Sequence, residues 1–178
     1  QEGGIAIADV LFGDFNPAGR LPFSVPRSVG QIPLYYNKKA PQSHDYVEMS
    51  ASPLYPFGYG LSYTSFDYSD LHLSALTSRS FEISFKVRNT GKYDGEEVAQ
   101  LYLRDEYASV VQPLKQLKHF ARFYLKRGEE REVKFILSEE DFSLVDRNLK
   151  RIVESGTFQI MIGAASDDIR LQTKVEIK

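Results

Sequence analysis

From Phe66 onward, apolar and polar residues alternate in short runs separated by turn-forming clusters. In FEISFKVRN (81–89), Phe81, Ile83, Phe85 and Val87 stand against Glu82, Ser84, Lys86 and Arg88. This period of two is that of a strand with one buried face. The turn cluster TGKYDG leads to EVAQLYLR (97–104), which is rich in β-branched and aromatic residues. LKHFARFYL (117–125) follows and ends at KRGEE, and REVKFILS (131–138) puts Val133, Phe135 and Leu137 on one face. EEDFSLVD (139–146) fits a helical turn or a short strand, and GTFQIMIG (156–163) and IRLQTKVEIK (169–178) complete the set. With a strand near 68–73, the pattern predicts about seven strands at the turn spacing of an antiparallel β-sandwich.

The first 36 residues follow another rule. In EGGIAIADVLFG, Ile5, Ala8 and Phe12 fall at helical spacing, Gly13 suits a left-handed C-terminal cap, and Pro17 follows. Leu21, Phe23 and Val25 then alternate, but Pro17, Pro22, Pro26 and Pro33 demote the run to an edge strand or an extended arm. One helix and one proline-rich strand cannot enclose a core. Residues 1–36 are therefore expected to be the end of a larger α/β domain, the other reading being an ordered arm of a self-contained protein. The first residue is Gln1, which fits a processed or excised piece.

Between these regions, NKKAPQSHDYVEMSASP (37–53) is polar and aperiodic and reads as a long surface loop. YPFGYGLSY (55–63) is different, with Tyr55, Phe57, Tyr59 and Tyr63 around Pro56, Gly58 and Gly60. If extended, it would place the rings of 55, 57 and 59 on one face and open the other to a close backbone approach at the glycines. Packing at a domain junction is the first expectation for Tyr55, Phe57, Gly58, Tyr59, Gly60 and Tyr63. Stacking on a ligand is the second.

Composition narrows the chemistry. A hydrophobic share of 42% and an aromatic share of 13% suffice for a packed core, and a net charge of −2 carries no basic patch for nucleic acid. No apolar run approaches the roughly 20 residues that span a bilayer. Cysteine is absent, which removes disulfides, thiolate nucleophiles and cysteine metal sites. Neither G-x-S-x-G nor G-x-x-x-x-G-K-[ST] occurs. His44, Asp45 and Glu48 stand close enough in sequence to suggest a cation site, but such a cluster in a polar loop reads as solvated, so neither metal nor cofactor is expected. The doublets Glu96–Glu97, Glu129–Glu130, Glu139–Glu140 and Asp167–Asp168 lie at turns or strand ends, and adjacency in sequence does not make a catalytic pair.

Several long stretches resemble a known family. GGIAIADVLFGDFNPAGRLPFSVPRSVGQIPLYYN and PLYPFGYGLSYTSFDYSDL are similar to the C-terminal third of glycoside hydrolase family 3, which contains β-glucosidases and β-xylosidases. VRNTGKYDGEEVAQLYL, QPLKQLKHFARFYLKRGE and GTFQIMIGAAS are similar to the fibronectin type III-like domain that closes many members. The resemblance implies a mainly β chain: an immunoglobulin/fibronectin type III-like sandwich, preceded by the remnant of an α/β sandwich domain. It implies residues 1–36 as that remnant, 37–65 as loop and aromatic junction, and 66–178 as the fibronectin type III-like domain.

The family's retaining mechanism uses an aspartate nucleophile from a barrel and a glutamate acid/base from the α/β sandwich. Both precede the segment that matches residue 1. No catalytic residue is therefore expected in this chain, which alone should be inactive. The implied partners are the upstream catalytic domains of the same polypeptide and a β-linked oligosaccharide, with no nucleic acid and no membrane. The implied location is periplasmic or secreted. The loop bearing His44, Tyr46 and Glu48 would lie at the rim of the active site. Relatives often carry Tyr-x-Asp there, where this chain reads Tyr46-Val47-Glu48. The alternative is a carbohydrate-binding or adhesion module, a role for which residues 1–36 have no use.

Overall fold

A computed structural model describes residues 2–39 and 47–178. Helix α1 spans Gly3–Phe12 and ends as its sequence predicts: Gly13 adopts φ 88° and its N–H reaches the carbonyl of Val10 at 3.3 Å. Ile5, Ile7, Leu11 and Phe12 are all exposed, so this helix turns its apolar surface away from the rest of the described chain.

The strands follow in order: β1 (Phe66–Thr77), β2 (Ser80–Asn89), β3 (Gly95–Asp105), β4 (Gln116–Leu125), β5 (Glu130–Leu137), β6 (Leu144–Val145), β7 (Arg151–Ile152), β8 (Gly156–Gly163) and β9 (Ile169–Ile177). A three-stranded sheet in the order β1-β2-β5 faces a four-stranded sheet in the order β4-β3-β8-β9. Every strand pair is antiparallel. The seven predicted strands are these seven, and the ambiguous 139–146 stretch resolves into a turn followed by β6, which pairs with the two-residue β7.

The alternation read from sequence sets which face is buried. Ile83, Phe85 and Val87 of β2 are fully enclosed, and Ile83 and Phe85 stand opposite Phe135 and Val133 of β5. Ala99, Leu101 and Leu103 meet them from β3, with Ile160 and Ile162 from β8. Phe142 closes one end, edge-on to Phe81 at 5.8 Å and to Phe158 at 5.1 Å. Edge-to-face rings of this kind add to the area they bury.

Asn89 holds the other end. It is fully buried and uses its whole amide: Nδ2 donates to the carbonyls of Tyr93 (2.8 Å) and Leu125 (3.2 Å), and Oδ1 accepts from the Thr64 hydroxyl (2.6 Å) and the Gly91 N–H (3.1 Å). Gly91 leaves room for Thr64, because a Cβ there would overlap its hydroxyl and backbone.

Candidate functional site at the junction of arm and sandwich

The proline-rich arm and the aromatic stretch pair with each other. Leu21 N–H donates to the carbonyl of Tyr59 at 2.8 Å, and Val25 N–H to that of Tyr55 at 2.7 Å. Gly58 N–H returns to the Leu21 carbonyl and Leu54 N–H to the Val25 carbonyl, both at 2.8 Å. Pro22 and Pro26, which have no N–H to give, leave this as a short edge pairing.

The aromatic stretch itself is not extended. Tyr59 N–H bonds the Pro56 carbonyl at 3.1 Å, and Gly58 sits at φ 81°. That is a turn with glycine where the left-handed region is required. It separates the rings that a strand would have aligned. Tyr55 and Tyr59 stay together, with centroids 4.9 Å apart, whereas Phe57 swings to stack on Tyr36 at 4.0 Å.

This turn docks on β3. Tyr36 meets Tyr102 edge-on at 6.2 Å, and its hydroxyl accepts from Leu117 N–H at 3.3 Å. The Phe57 carbonyl accepts from Ser166 N–H at 2.9 Å. Gln100, only 2% exposed, donates Nε2 to the carbonyls of Gly58 (3.2 Å) and Ala164 (2.5 Å) while its Oε1 accepts from the Tyr102 hydroxyl (2.5 Å). A Cβ on Gly58 would collide with the Gln100 amide, and one on Gly60 with the Gly19 backbone. The close backbone approach expected at both glycines is thus found at Gly60, whereas Gly58 yields to a side chain. Burial pushes the Tyr102 hydroxyl well above its ordinary range, helped by Tyr36 and Asp167.

An ion pair and an amide complete the junction. Arg20 Nη2 lies 2.9 Å from Glu97 Oε1, with the two side chains 12% and 3% exposed. The same oxygen accepts from Val98 N–H at 3.0 Å and from the Tyr68 hydroxyl at 3.3 Å. Burial raises the Tyr68 pKa well above 10.0, and the Glu97 charge adds to it. Asn16 donates to the Asp94 carbonyl at 2.9 Å and accepts from Ser62 Oγ and Tyr63 N–H at 3.1 and 2.8 Å. The Tyr63 hydroxyl donates to the Val10 carbonyl at 2.6 Å.

The six junction residues named from sequence therefore lie together, though not equally deep. Gly58 is buried, Phe57, Tyr59 and Gly60 are half-buried, and Tyr55 and Tyr63 remain 41% and 46% exposed. His44 and Tyr46 lie outside the described residues, and Glu48 is exposed. Arg20, Tyr36, Glu97 and Gln100 carry as much of the junction as the rings do. For Glu97 and Gln100 the sequence signal is EVAQLYLR, which lacks the polar alternation of a strand with a wet face.

The carboxylate doublets separate in space. Glu97 turns to Arg20 while Glu96 pairs with Arg122, and Glu139 and Glu140 reach Arg79 and Arg151. Among the described residues, no group of three or more His, Asp or Glu is placed to hold a metal ion, and no helix is long and apolar enough to cross a membrane.

Residues 1–63 match the glycosyl hydrolase family 3 C-terminal domain, and residues 97–166 match the fibronectin type III-like domain. The chain belongs to the C-terminal region of glycosyl hydrolase family 3. It is 45% identical to the periplasmic beta-glucosidase of Salmonella typhimurium over 183 residues, covering 95% of this chain and 24% of that protein. A beta-xylosidase of Formosa agariphila is 44% identical, with 94% and 24% covered. A solved β-glucosidase structure from Erythrobacter marinus superposes with a TM-score of 0.91 at 42% identity, covering 98% of this chain and 23% of that one. The chain thus spans about a quarter of the length of these relatives. In this family 3 region the aromatic stretch 55–63 ends where the first match ends, and β1 begins three residues later at Phe66.

Proposed function

We propose that this chain serves a retaining β-glucosidase that removes terminal, non-reducing β-D-glucosyl residues from β-linked oligosaccharides in the periplasm or outside the cell. The nucleophile and the acid/base come from preceding domains of the same polypeptide, which hold two carboxyls about 5–5.5 Å apart. Residues 1–36 complete an α/β domain, 37–65 form the loop and junction, and 66–178 form the fibronectin type III-like unit. The part played by this chain is to fix the angle and spacing of those domains. The loop with His44, Tyr46 and Glu48 borders the sugar site.

The observation that carries this reading is the burial of Gln100, Tyr102 and Glu97 of β3 beneath the arm and turn. A tethered module with an independent role has no need of a buried ion pair to its leader. The exposed apolar side of α1 is in keeping with it, since the rest of an α/β domain would cover Ile5 and Ile7.

Aryl-β-glucoside hydrolysis, with the xyloside alongside, tests the reading on three samples: the intact enzyme, the enzyme truncated before Phe66, and this chain alone. The expected result is activity in the first, loss or unfolding in the second and none in the third. Hydrolysis by the chain alone would overturn the assignment of chemistry to preceding domains. Undiminished hydrolysis after truncation would overturn the structural role.

A further inference from the structure

A groove of about 950 Å3 runs between the C-terminal end of α1 and the face of β3 and β4 turned away from the core. Its volume falls within the range of small-ligand sites. Phe12 and Phe15 stand on one side, Tyr93 and Tyr124 on the other, and Tyr63 between them, all at least 46% exposed. None of these rings is needed by the sandwich core.

Two of the rings are fixed. The Tyr63 hydroxyl bonds the Val10 carbonyl, and the Tyr124 hydroxyl donates to Asp94 Oδ2 at 2.8 Å. Asp94 is itself held by the Arg127 N–H at 2.7 Å. Arg122 and Glu96 lie in the same groove, with Arg122 Nε 3.0 Å from Glu96 Oε2, so a guanidinium fork and a carboxylate stand beside the rings.

That mixture selects among occupants. A protein segment binding here would have to desolvate the carboxylates of Glu96 and Asp94, residue types in which interfaces are depleted. A sugar ring offers what these groups take: flat C–H faces for the aromatic rings, and neighbouring hydroxyls that donate to carboxylates and accept from guanidinium. Pyranose units whose ring substituents are equatorial, as in β-linked glucans, are the flattest of these. The Tyr124 ring, already held in place, binds with little further loss of freedom.

We propose that this groove is a non-catalytic binding site for a β-linked glucan chain, with Tyr93 and Tyr124 as stacking platforms and Arg122 and Glu96 as hydroxyl partners. The choice of β-linked glucan rests on the glycosidase reading above.

Native gels of the intact protein containing laminarin, lichenan or hydroxyethyl cellulose, with dextran as the α-linked control, test the site. Retardation by at least one β-glucan and none by dextran is expected. Tyr93→Ala and Tyr124→Ala should each raise the apparent Kd about threefold to tenfold. Tyr124→Phe, which keeps the ring, should retain binding, and melting temperatures identify a variant that has merely unfolded. Absence of retardation, or equal retardation of both alanine variants, would overturn the proposal. So would failure of tetranitromethane to nitrate either tyrosine, because another part of the polypeptide would then cover the groove. Aryl-glucoside hydrolysis separates the two readings. Hydrolysis without retardation leaves the glycosidase and removes the site, whereas tyrosine-dependent retardation without hydrolysis leaves the site and removes the glycosidase.

Discussion

Gly58 and Gln100 are the tightest pair in the junction. Gly58 needs φ 81°, which a Cβ disfavours by about 1–2 kcal/mol, and the Gln100 amide fills the space that a Cβ would take. Gly58→Ala should therefore destabilise by more than that strain alone. Gln100→Ala should destabilise as well, by at least about 2 kcal/mol, because it strips partners from the buried carbonyls of Gly58 and Ala164 and from the Tyr102 hydroxyl. In the double variant the alanine methyl at 58 gains room, and the added loss should shrink to the backbone strain. Urea unfolding of the four proteins measures the coupling. Strict additivity would show that the two sites act independently.

At the scale of elements, hairpin β6–β7 offers a cleaner case. Leu149 sits in its turn at φ 61° and is 86% exposed, so the left-handed backbone has no packing to offset it. Asp146 Oδ1, which accepts from the N–H groups of Asn148 and Lys150 at 2.8 Å, fixes the turn regardless of residue 149. Leu149→Gly should stabilise by about 1 kcal/mol, the released strain outweighing the greater freedom of glycine in the unfolded chain. An unchanged or lower midpoint in urea would contradict this.

The strands show which elements a sequence reveals. FEISFKVRN, with one face in the core and one in water, carries its geometry in its alternation and appears as Ser80–Asn89. β1 extends well beyond the 68–73 expected; it is an edge strand in which a bulge between Ser69 and His72, with Asp70 at φ 52°, shifts the alternation from Phe66 and Tyr68 to Leu71 and Leu73. The aromatic turn was legible in composition and not in shape. Its glycines signal close approach, but the hydrogen bond that folds it is local, and the groups it approaches, among them Tyr36, Gly19 and Gln100, lie far from it in sequence. Arg20 and Glu97 are separated by 77 residues, and nothing in either segment marks them as each other's partner.

For the whole molecule, the phenols of half-buried Tyr68 and buried Tyr102 give a test of how arm and sandwich share their stability. Tyr68 and Tyr102 both have folded pKa values above 10.0, so what they contribute is fully present below that pH and is lost as pH rises through the folded values. In that window the native state keeps protons that the unfolded state has shed. Lys115 and Lys118, whose pKa values burial lowers from 10.5, act in the opposite sense, because losing their charge favours the fold. Comparison with Tyr102→Phe isolates the phenol. Near neutral pH this variant should be less stable by about 0.5–1.5 kcal/mol, the worth of its bond to Gln100. The gap should narrow above pH 10, and melting curves from pH 8 to 11 would show it. A constant gap would mean that Tyr102 ionises as freely in the fold as outside it.

β3 lies under two layers. Ala99, Leu101 and Leu103 look into the sandwich, while Gln100 and Tyr102 look into the arm and its turn. In deuterium exchange its amides therefore keep time for both layers at once, and a label enters only when arm or sandwich opens far enough to wet the strand. The point at which the chain changes character, near residue 66, is accordingly a poor place for a protease or an evolutionary crossover to divide it. A sandwich parted there would begin its separate life with the centre of its larger sheet bare.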